Sequence, residues 1–357
     1  MGMRGNFEEG YSGDTLQGTY LAGVWFPDKT VVGWWKNGYP KYFGKTPNAP
    51  SFIGIGITVN GEKIDLAKVK FSDFELSLDM HQGLLSRSFI YEGKDVKVKF
   101  EFERFLHIVQ KEAALIKVKA TVLEGKAKID FDSTLDGTVV NEDSNYDERF
   151  WIPLGENKDT KTIQVKTKPN PYEVPQFTVL LQESLSHNGE LIQTEVSTKE
   201  AKLSEKFSVE LSEGQSYELE KDVIVITSRD VEEKDQASVA EDLMNKLQSK
   251  SFEENLADHT AEWQKRWDMS DVEISGDAAA QQGIRFNIAQ LFMTYYGEDE
   301  RLNVGPKGFT GEKYGGATYW DTEAYIVPMY LGITNPSVTK ALLQYRHNQL
   351  PGAYHNA

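Results

Sequence analysis

Cysteine is absent from the 357 residues, so neither disulfides nor thiolate metal sites help to hold or run this chain. The simplest compartment for such a composition is a reducing cytoplasm, which is the expected location. No apolar run approaches the ~20 residues needed to span a bilayer, and Met1 to Asp14 lack the basic-then-apolar pattern of a secretory signal. Positive charge is also short. The 39 Lys and Arg stand against 55 Asp and Glu, a formal net charge of −16 that repels nucleic acid and anionic membrane over most of the surface. Neutral partners fit such a surface better.

Missing motifs remove further chemistries. The glycine-rich stretch near residue 305 is not closed by Gly-Lys-Ser/Thr, and Gly54-Ile55-Gly56 lacks the third glycine of a dinucleotide fingerprint, so both nucleotide readings fall. No Gly-x-Ser-x-Gly elbow supports an acyl-transfer serine. His81, His107, His187, His259, His347 and His355 lie far apart without paired spacing, so packing or solvent is the expected fate of each and no metal site is expected.

What is present begins with Trp320. It closes a glycine-punctuated loop, Gly305-Pro306-Lys307-Gly308-Phe309-Thr310-Gly311-Glu312-Lys313-Tyr314-Gly315-Gly316, and is followed directly by Asp321. Glycine lets backbone lie close to a ligand, an indole offers a flat apolar face to a pyranose, and a carboxylate accepts hydrogen bonds from neighbouring hydroxyls. That is sugar-binding chemistry. A purely structural reading stands beside it, in which Trp320 fills core and Asp321 caps the helix it starts. Glycoside cleavage needs a proton donor, and the local carboxylates are Glu312, Asp321 and Glu323, none singled out by spacing.

Elsewhere the pattern divides the chain. From about residue 50 to 230 the apolar period is two: Phe74, Leu76, Leu78 and Met80; Val96, Val98, Phe100 and Phe102; Ile116, Val118, Ala120 and Val122. Half-buried antiparallel strands follow, with Asn60-Gly61 as a hairpin turn, and so many of them predict a large β-sandwich. The acidic loop from Asn141 to Arg149 reads as a solvated connection. Near Arg229 the period becomes helical. Helices are predicted over Val231–Ser249 and Phe252–Trp267, with Trp263 and Trp267 as packing residues. A third starts at an Asp277 cap and is ended by Gly297; a fourth runs from Asp321 towards Leu331, and a fifth from Pro336 to about Asn348.

The long motifs then carry a resemblance. The glycine loop with Tyr319-Trp320-Asp321-Thr322-Glu323 closely resembles a barrel motif of glycoside hydrolase family 65, the disaccharide phosphorylases. Further matches are Gly2-Met3-Arg4-Gly5-Asn6-Phe7-Glu8-Glu9, Ser12-Gly13-Asp14-Thr15-Leu16, Val32-Gly33-Trp34-Trp35-Lys36-Asn37-Gly38-Tyr39-Pro40, Gln282-Gly283-Ile284-Arg285-Phe286-Asn287 and Leu343-Gln344-Tyr345-Arg346-His347-Asn348-Gln349-Leu350. Within the family, Thr318-Tyr319-Trp320-Asp321 and the ending Leu350 to Ala357 look like the maltose phosphorylase branch, where kojibiose and trehalose phosphorylases more often carry Phe-Trp-Asp and a histidine near Ala317.

The resemblance implies an N-terminal β-sandwich of the galactose-mutarotase-like supersandwich type over residues 1–229, a helical linker over 230–270, and the start of an (α/α)6 catalytic barrel over 271–357. It implies inverting phosphorolysis of maltose to β-glucose 1-phosphate and glucose, with inorganic phosphate as co-substrate, no cofactor, and a possible homodimer in the full-length protein. Trp320 and Asp321 carry over as contacts to the glucosyl unit. The family's acid glutamate and phosphate-binding residues lie beyond Ala357, and its opening Gly-Asn-Gly motif lies before Met1. The chain is therefore expected to be a fragment without its own catalytic residue and inactive alone, with apolar faces at Leu342, Leu343 and Tyr345 left exposed. Glu312 and Glu323 lose their candidacy as proton donor. The alternatives are a non-catalytic carbohydrate-binding module using Trp25, Trp34 or Trp35, a related kojibiose or trehalose phosphorylase, and a hydrolase.

Overall fold

The computed structural model describes residues 1–30, 41–143, 147–308, 311 and 318–356. Two small antiparallel pairs open the chain, β1 (Gly2–Arg4) with β2 (Gly18–Tyr20) and β3 (Phe26–Lys29) with β4 (Tyr42–Lys45). A two-layer β-sandwich follows, built on one long strand. Strands β5 (Ile55–Val59) and β6 (Glu62–Lys63) form the Asn60-Gly61 hairpin, whose turn residues have φ of 48° and 86°. Next come β7 (Phe71–Asp79), β8 (Leu84–Gly93), β9 (Val96–Leu106), β10 (Ala113–Asp136), β11 (Trp151–Asn157), β12 (Thr162–Thr167), β13 (Thr178–His187), β14 (Gln193–Lys199), β15 (Lys202–Ser212) and β16 (Ser216–Thr227).

β10 belongs to both layers. Its first half pairs with β9 and β16 in the order β11-β12-β13-β16-β10-β9-β8-β7, and its second half pairs with β5 and β15 in the other layer. The changeover falls at a bulge between Val122 and Glu124, followed by Gly125 at φ +80°, where a Cβ would lie 2.3 Å from the Asp95 carbonyl oxygen. A bulge with a glycine is how a strand turns the corner between two packed sheets. Between the layers lie Phe89, Val98, Phe100, Val118, Ala120, Ile129, Phe131, Leu203 and Leu219, the inward half of the period-two pattern.

The same larger sheet buries its outer face. Leu84, Phe105, Ala113, Leu115, Leu180, Ile224 and Ile226 pack under α1 (Gln236–Gln248) and the start of α2 (Phe252–Ser270), meeting Ala240, Met244, Leu247 and Phe252. Ser251 starts α2 with a capping box: its hydroxyl accepts from Glu254 N–H and its own N–H donates to the Glu254 carboxylate. The far end of α2 carries Trp263 and Trp267 into a third cluster with α3 (Ala278–Thr294), α4 (Val327–Ile333) and α5 (Pro336–Asn356), around Ile288, Phe292, Tyr295, Tyr330, Val338 and Leu342. Among the described residues no helix is long and apolar enough to cross a membrane.

Several sequence expectations need correction. The apolar side of β7 is not buried: Phe71, Phe74 and Leu76 are exposed, because β7 is an edge strand bulged between Ser72 and Glu75, with Asp73 at φ 51°. The acidic loop is not simply solvated. Asn141 and Asp143 are buried, with Asn141 Oδ1 accepting from Asn48 N–H and Asp143 paired with Arg4 at 3.2 Å. α3 ends at Thr294, before Gly297, because the Tyr330 hydroxyl reaches the Leu291 and Tyr295 carbonyls at 2.9 and 2.6 Å. Gly297 instead lets α5 approach, since a Cβ there would lie 2.5 Å from Val338 Cα. α5 itself runs past Asn348 to Asn356, Pro351 costing it one hydrogen bond rather than its end. Leu342 is fully buried, contrary to expectation, whereas Leu343 is exposed and Tyr345 half-buried.

Candidate functional site

The route to Trp320 starts at the sandwich. Arg229, just past β16, pairs with Asp299 and donates to the Ala22 carbonyl. Arg301 donates to Asp299 and Asp230, and its Nη1 donates to the Arg229 carbonyl at 3.1 Å. These charges anchor the segment after α3, and they hold the Asp299 carboxyl at about 2: burial raises it, but hydrogen bonds from Arg301 and the Arg229 charge pull it down further. The segment continues through a turn closed by Gly308 N–H to the Gly305 carbonyl at 3.0 Å. Most of the glycine loop, including Glu312 and Tyr314, lies outside the described residues, as do Trp34 and Trp35.

Past the loop the burial of the motif is the reverse of the core-filling alternative. Trp320 is 71% exposed, while Thr322 is buried and its Oγ1 donates to the Val304 carbonyl at 2.6 Å. Asp321 is half-buried and its carboxylate makes no capping bond to the helix it precedes. The first turn, Thr322–Ile326, is a π-turn, with Val327 N–H reaching the Thr322 carbonyl. Pro328 explains it: proline supplies no N–H, and its ring crowds the carbonyl four residues back, so the turn widens. The Trp320 and Tyr325 rings lie 6.5 Å apart at 37°, with Tyr325 66% exposed, so the two aromatics offer open faces beside Asp321. Glu323 is committed elsewhere, its two oxygens accepting from Arg346 Nε and Nη2 at 2.7 and 3.1 Å.

Trp25, the alternative glycan contact, is half-buried and stacked on Tyr42 at 6.3 Å. Trp263 and Trp267 are core, stacked at 6.4 Å. His107 and His259 are buried between β9 and α2, and the other four histidines are exposed. Among the described residues no group of three His, Cys, Asp or Glu side chains is placed to hold a metal ion. The sequence reading missed Tyr325 and Arg346. Tyr325 stands five residues after Trp320, the period of a π-turn, and the only signal for that was Pro328 inside the predicted helix.

The buried His259 has a measurable consequence. Its Nδ1 accepts from Ile108 N–H at 3.2 Å, and its Nε2 lies 3.1 Å from the Trp263 indole N–H, which donates to it, and 3.3 Å from the Gly83 carbonyl, so fully protonating the ring would set at least one ring N–H against another N–H. Burial, with the neighbouring His107 and Arg266, holds its pKa at about 4 rather than 6.5. The unfolded chain therefore binds the extra proton first. Stability carried by neutral His259 is present above pH 6.5 and is lost as pH falls from 6.5 towards 4, by about 3 kcal/mol. Urea midpoints across that window should fall steeply for the native chain and less for His259→Gln. Equal slopes would count against the assignment.

Residues 1–266 match the N-terminal domain of glycosyl hydrolase family 65, and residues 285–357 match the family's central catalytic domain. The chain belongs to glycosyl hydrolase family 65. It is 50% identical to the maltose phosphorylase of Bacillus subtilis (strain 168), over all of this chain and 47% of that protein. It is 31% identical to the alpha,alpha-trehalose phosphorylase of Thermoanaerobacter brockii, over 99% of this chain and 47% of that one. A solved human-microbiome structure, provisionally described as a kojibiose phosphorylase, superimposes with a TM-score of 0.87 at 26% identity, covering 99% of this chain and 46% of its own. The chain thus spans about half the length of the curated relatives it matches.

Proposed function

We propose that this chain supplies the N-terminal supersandwich (residues 1–229), helical linker (230–270) and opening (α/α)6-barrel helices (271–357) of an inverting maltose phosphorylase. Support comes from the open Trp320 face beside Asp321, in a chain half identical to a maltose phosphorylase. Trp320 stacks on the apolar face of the glucosyl unit and Asp321 accepts from its hydroxyls. An acid from a later motif of the family protonates the glycosidic oxygen as the bond to the anomeric carbon breaks, and inorganic phosphate attacks that carbon from the opposite face. The products are β-glucose 1-phosphate and glucose. Phosphate is already an anion, so no general base is needed, and no cofactor takes part.

The test is to incubate the whole phosphorylase to which this chain is proposed to contribute with maltose, with and without inorganic phosphate, and to read the sugar phosphate by proton NMR. β-Glucose 1-phosphate formed only with phosphate supports the proposal. The α-anomer would exclude inversion, and glucose alone would identify a hydrolase. Kojibiose or trehalose outpacing maltose would move the specificity to those branches. Residues 1–357 on their own are expected to give no turnover; turnover would place the acid among them, with Glu312 and Asp321 the first to substitute.

A further inference from the structure

We propose that Arg346 is the positioning residue of the sugar-contact pair: from α5 its guanidinium fixes the chain on both sides of Trp320–Asp321 without itself touching sugar. The inference rests on the reading of Trp320 and Asp321 as sugar contacts. Before the pair, Nη1 donates to Thr318 Oγ1 at 2.8 Å and Nη2 to the Tyr319 carbonyl at 2.6 Å. After it, Nε and Nη2 donate to the two Glu323 oxygens. A second pin, Thr322 Oγ1 on the Val304 carbonyl, lies between. Arg346 makes four hydrogen bonds from three nitrogens of its planar fork, to a hydroxyl, a carbonyl and both oxygens of a carboxylate, and a lysine ammonium, with three donors on one nitrogen, would drop part of the set.

The exposure of Trp320 makes such a clamp matter. An indole 71% exposed is not held by core packing, so its orientation depends on the backbone that carries it. If that backbone were loose, sugar binding would have to order it, and affinity would fall accordingly. The bonds of Arg346 span 23 to 28 residues and join α5 to the stretch leading into α4. Ordering is thus done on folding, before substrate arrives. The Glu323 carboxylate serves as the anionic arm of the clamp, which gives it a role distinct from proton donation.

The test reads Trp320 directly. The anisotropy of its fluorescence is isolated by subtracting the signal of a Trp320→Phe chain, in the native background and in Arg346→Lys, Arg346→Ala and Glu323→Gln, with Lys250→Ala as control at the exposed pair with Asp258. Arg346→Lys and Arg346→Ala are expected to lower the Trp320 anisotropy with helical circular dichroism unchanged; Glu323→Gln gives a smaller drop and the control none. Should Arg346→Ala lose its helical signal, Arg346→Lys decides. A folded Arg346→Lys chain with native Trp320 anisotropy overturns the proposal. A maltose titration of the same signal is expected to show the dissociation constant raised about tenfold in Arg346→Lys. Equal affinity there, with the native chain binding, defeats the positioning role alone. A native chain that ignores maltose while Arg346→Lys still loosens Trp320 defeats the sugar reading and leaves the clamp standing.

Discussion

In the whole phosphorylase proposed above, to which this chain would contribute its N-terminal half, replacing Trp320 with alanine is expected to leave the fold standing while lowering kcat/KM for maltose phosphorolysis about a hundredfold. The two halves of that result separate the readings the sequence left open. A core tryptophan costs about 3–5 kcal/mol when truncated. Trp320 is 71% exposed and its neighbour Thr322 carries the burial, so its loss should change stability by no more than about 0.5 kcal/mol. On the proposed reading, the functional cost is that of removing an aromatic face that a bound pyranose would cover. Asp321→Asn keeps the shape and removes the charge; hydrogen bonds to a charged acceptor contribute about 1.5–3 kcal/mol, or roughly ten- to a hundredfold in binding. Initial rates against maltose at saturating phosphate, with urea midpoints for each variant, check both. A destabilised but fully active Trp320→Ala enzyme would return Trp320 to the core.

Arg87→Met should unfold the sandwich more readily by about 3–5 kcal/mol, the largest structural effect expected of a single substitution here. Arg87 is buried with its guanidinium between the Phe7 and Phe102 rings, 4.3 and 4.1 Å from their centroids. It donates to both Glu8 and Glu9, while Arg104 takes the other side of Glu8. The two glutamates respond differently. Burial pushes both up, but Arg104 and Arg87 together bring Glu8 below its ordinary value, whereas Glu9, with Arg87 alone and Glu8 facing it, stays above. Losing Arg87 strands Glu9 as a buried carboxyl that must take up a proton. The double variant Arg87→Met, Glu9→Gln should therefore recover part of the loss, and urea midpoints at neutral pH measure it. If the single variant falls within about 1 kcal/mol of the native chain, the cluster does not hold the opening segment to the sheet.

Both cases show where a sequence reading runs out. The alternation of Val96 to Phe102 and of Ile116 to Val122 was legible because strand periodicity is written within a few residues. So were the Asn60-Gly61 turn and the Asp277 cap, whose carboxylate accepts from Ala280 N–H. The end of α3 was not, since the group that closes it, the Tyr330 hydroxyl, comes from another helix. Nor was the burial of Asn141 and Asp143, whose partners Asn48 and Arg4 stand 93 and 139 residues away. The apolar face of β7 misled for the same reason, because nothing local marks a strand as an edge.

The sequence by itself determined the strand-then-helix order and the family resemblance, because each is encoded in short runs or long motifs, and it supplied the proposal of sugar contacts at Trp320 and Asp321. Only the tertiary structure decided that Trp320 faces outward, that Tyr325 stands beside it across a π-turn, and that Arg346 grips Thr318, Tyr319 and Glu323. Exposure and side-chain contacts depend on which elements pack together. That is settled by burial summed over the whole chain, not by any stretch of it.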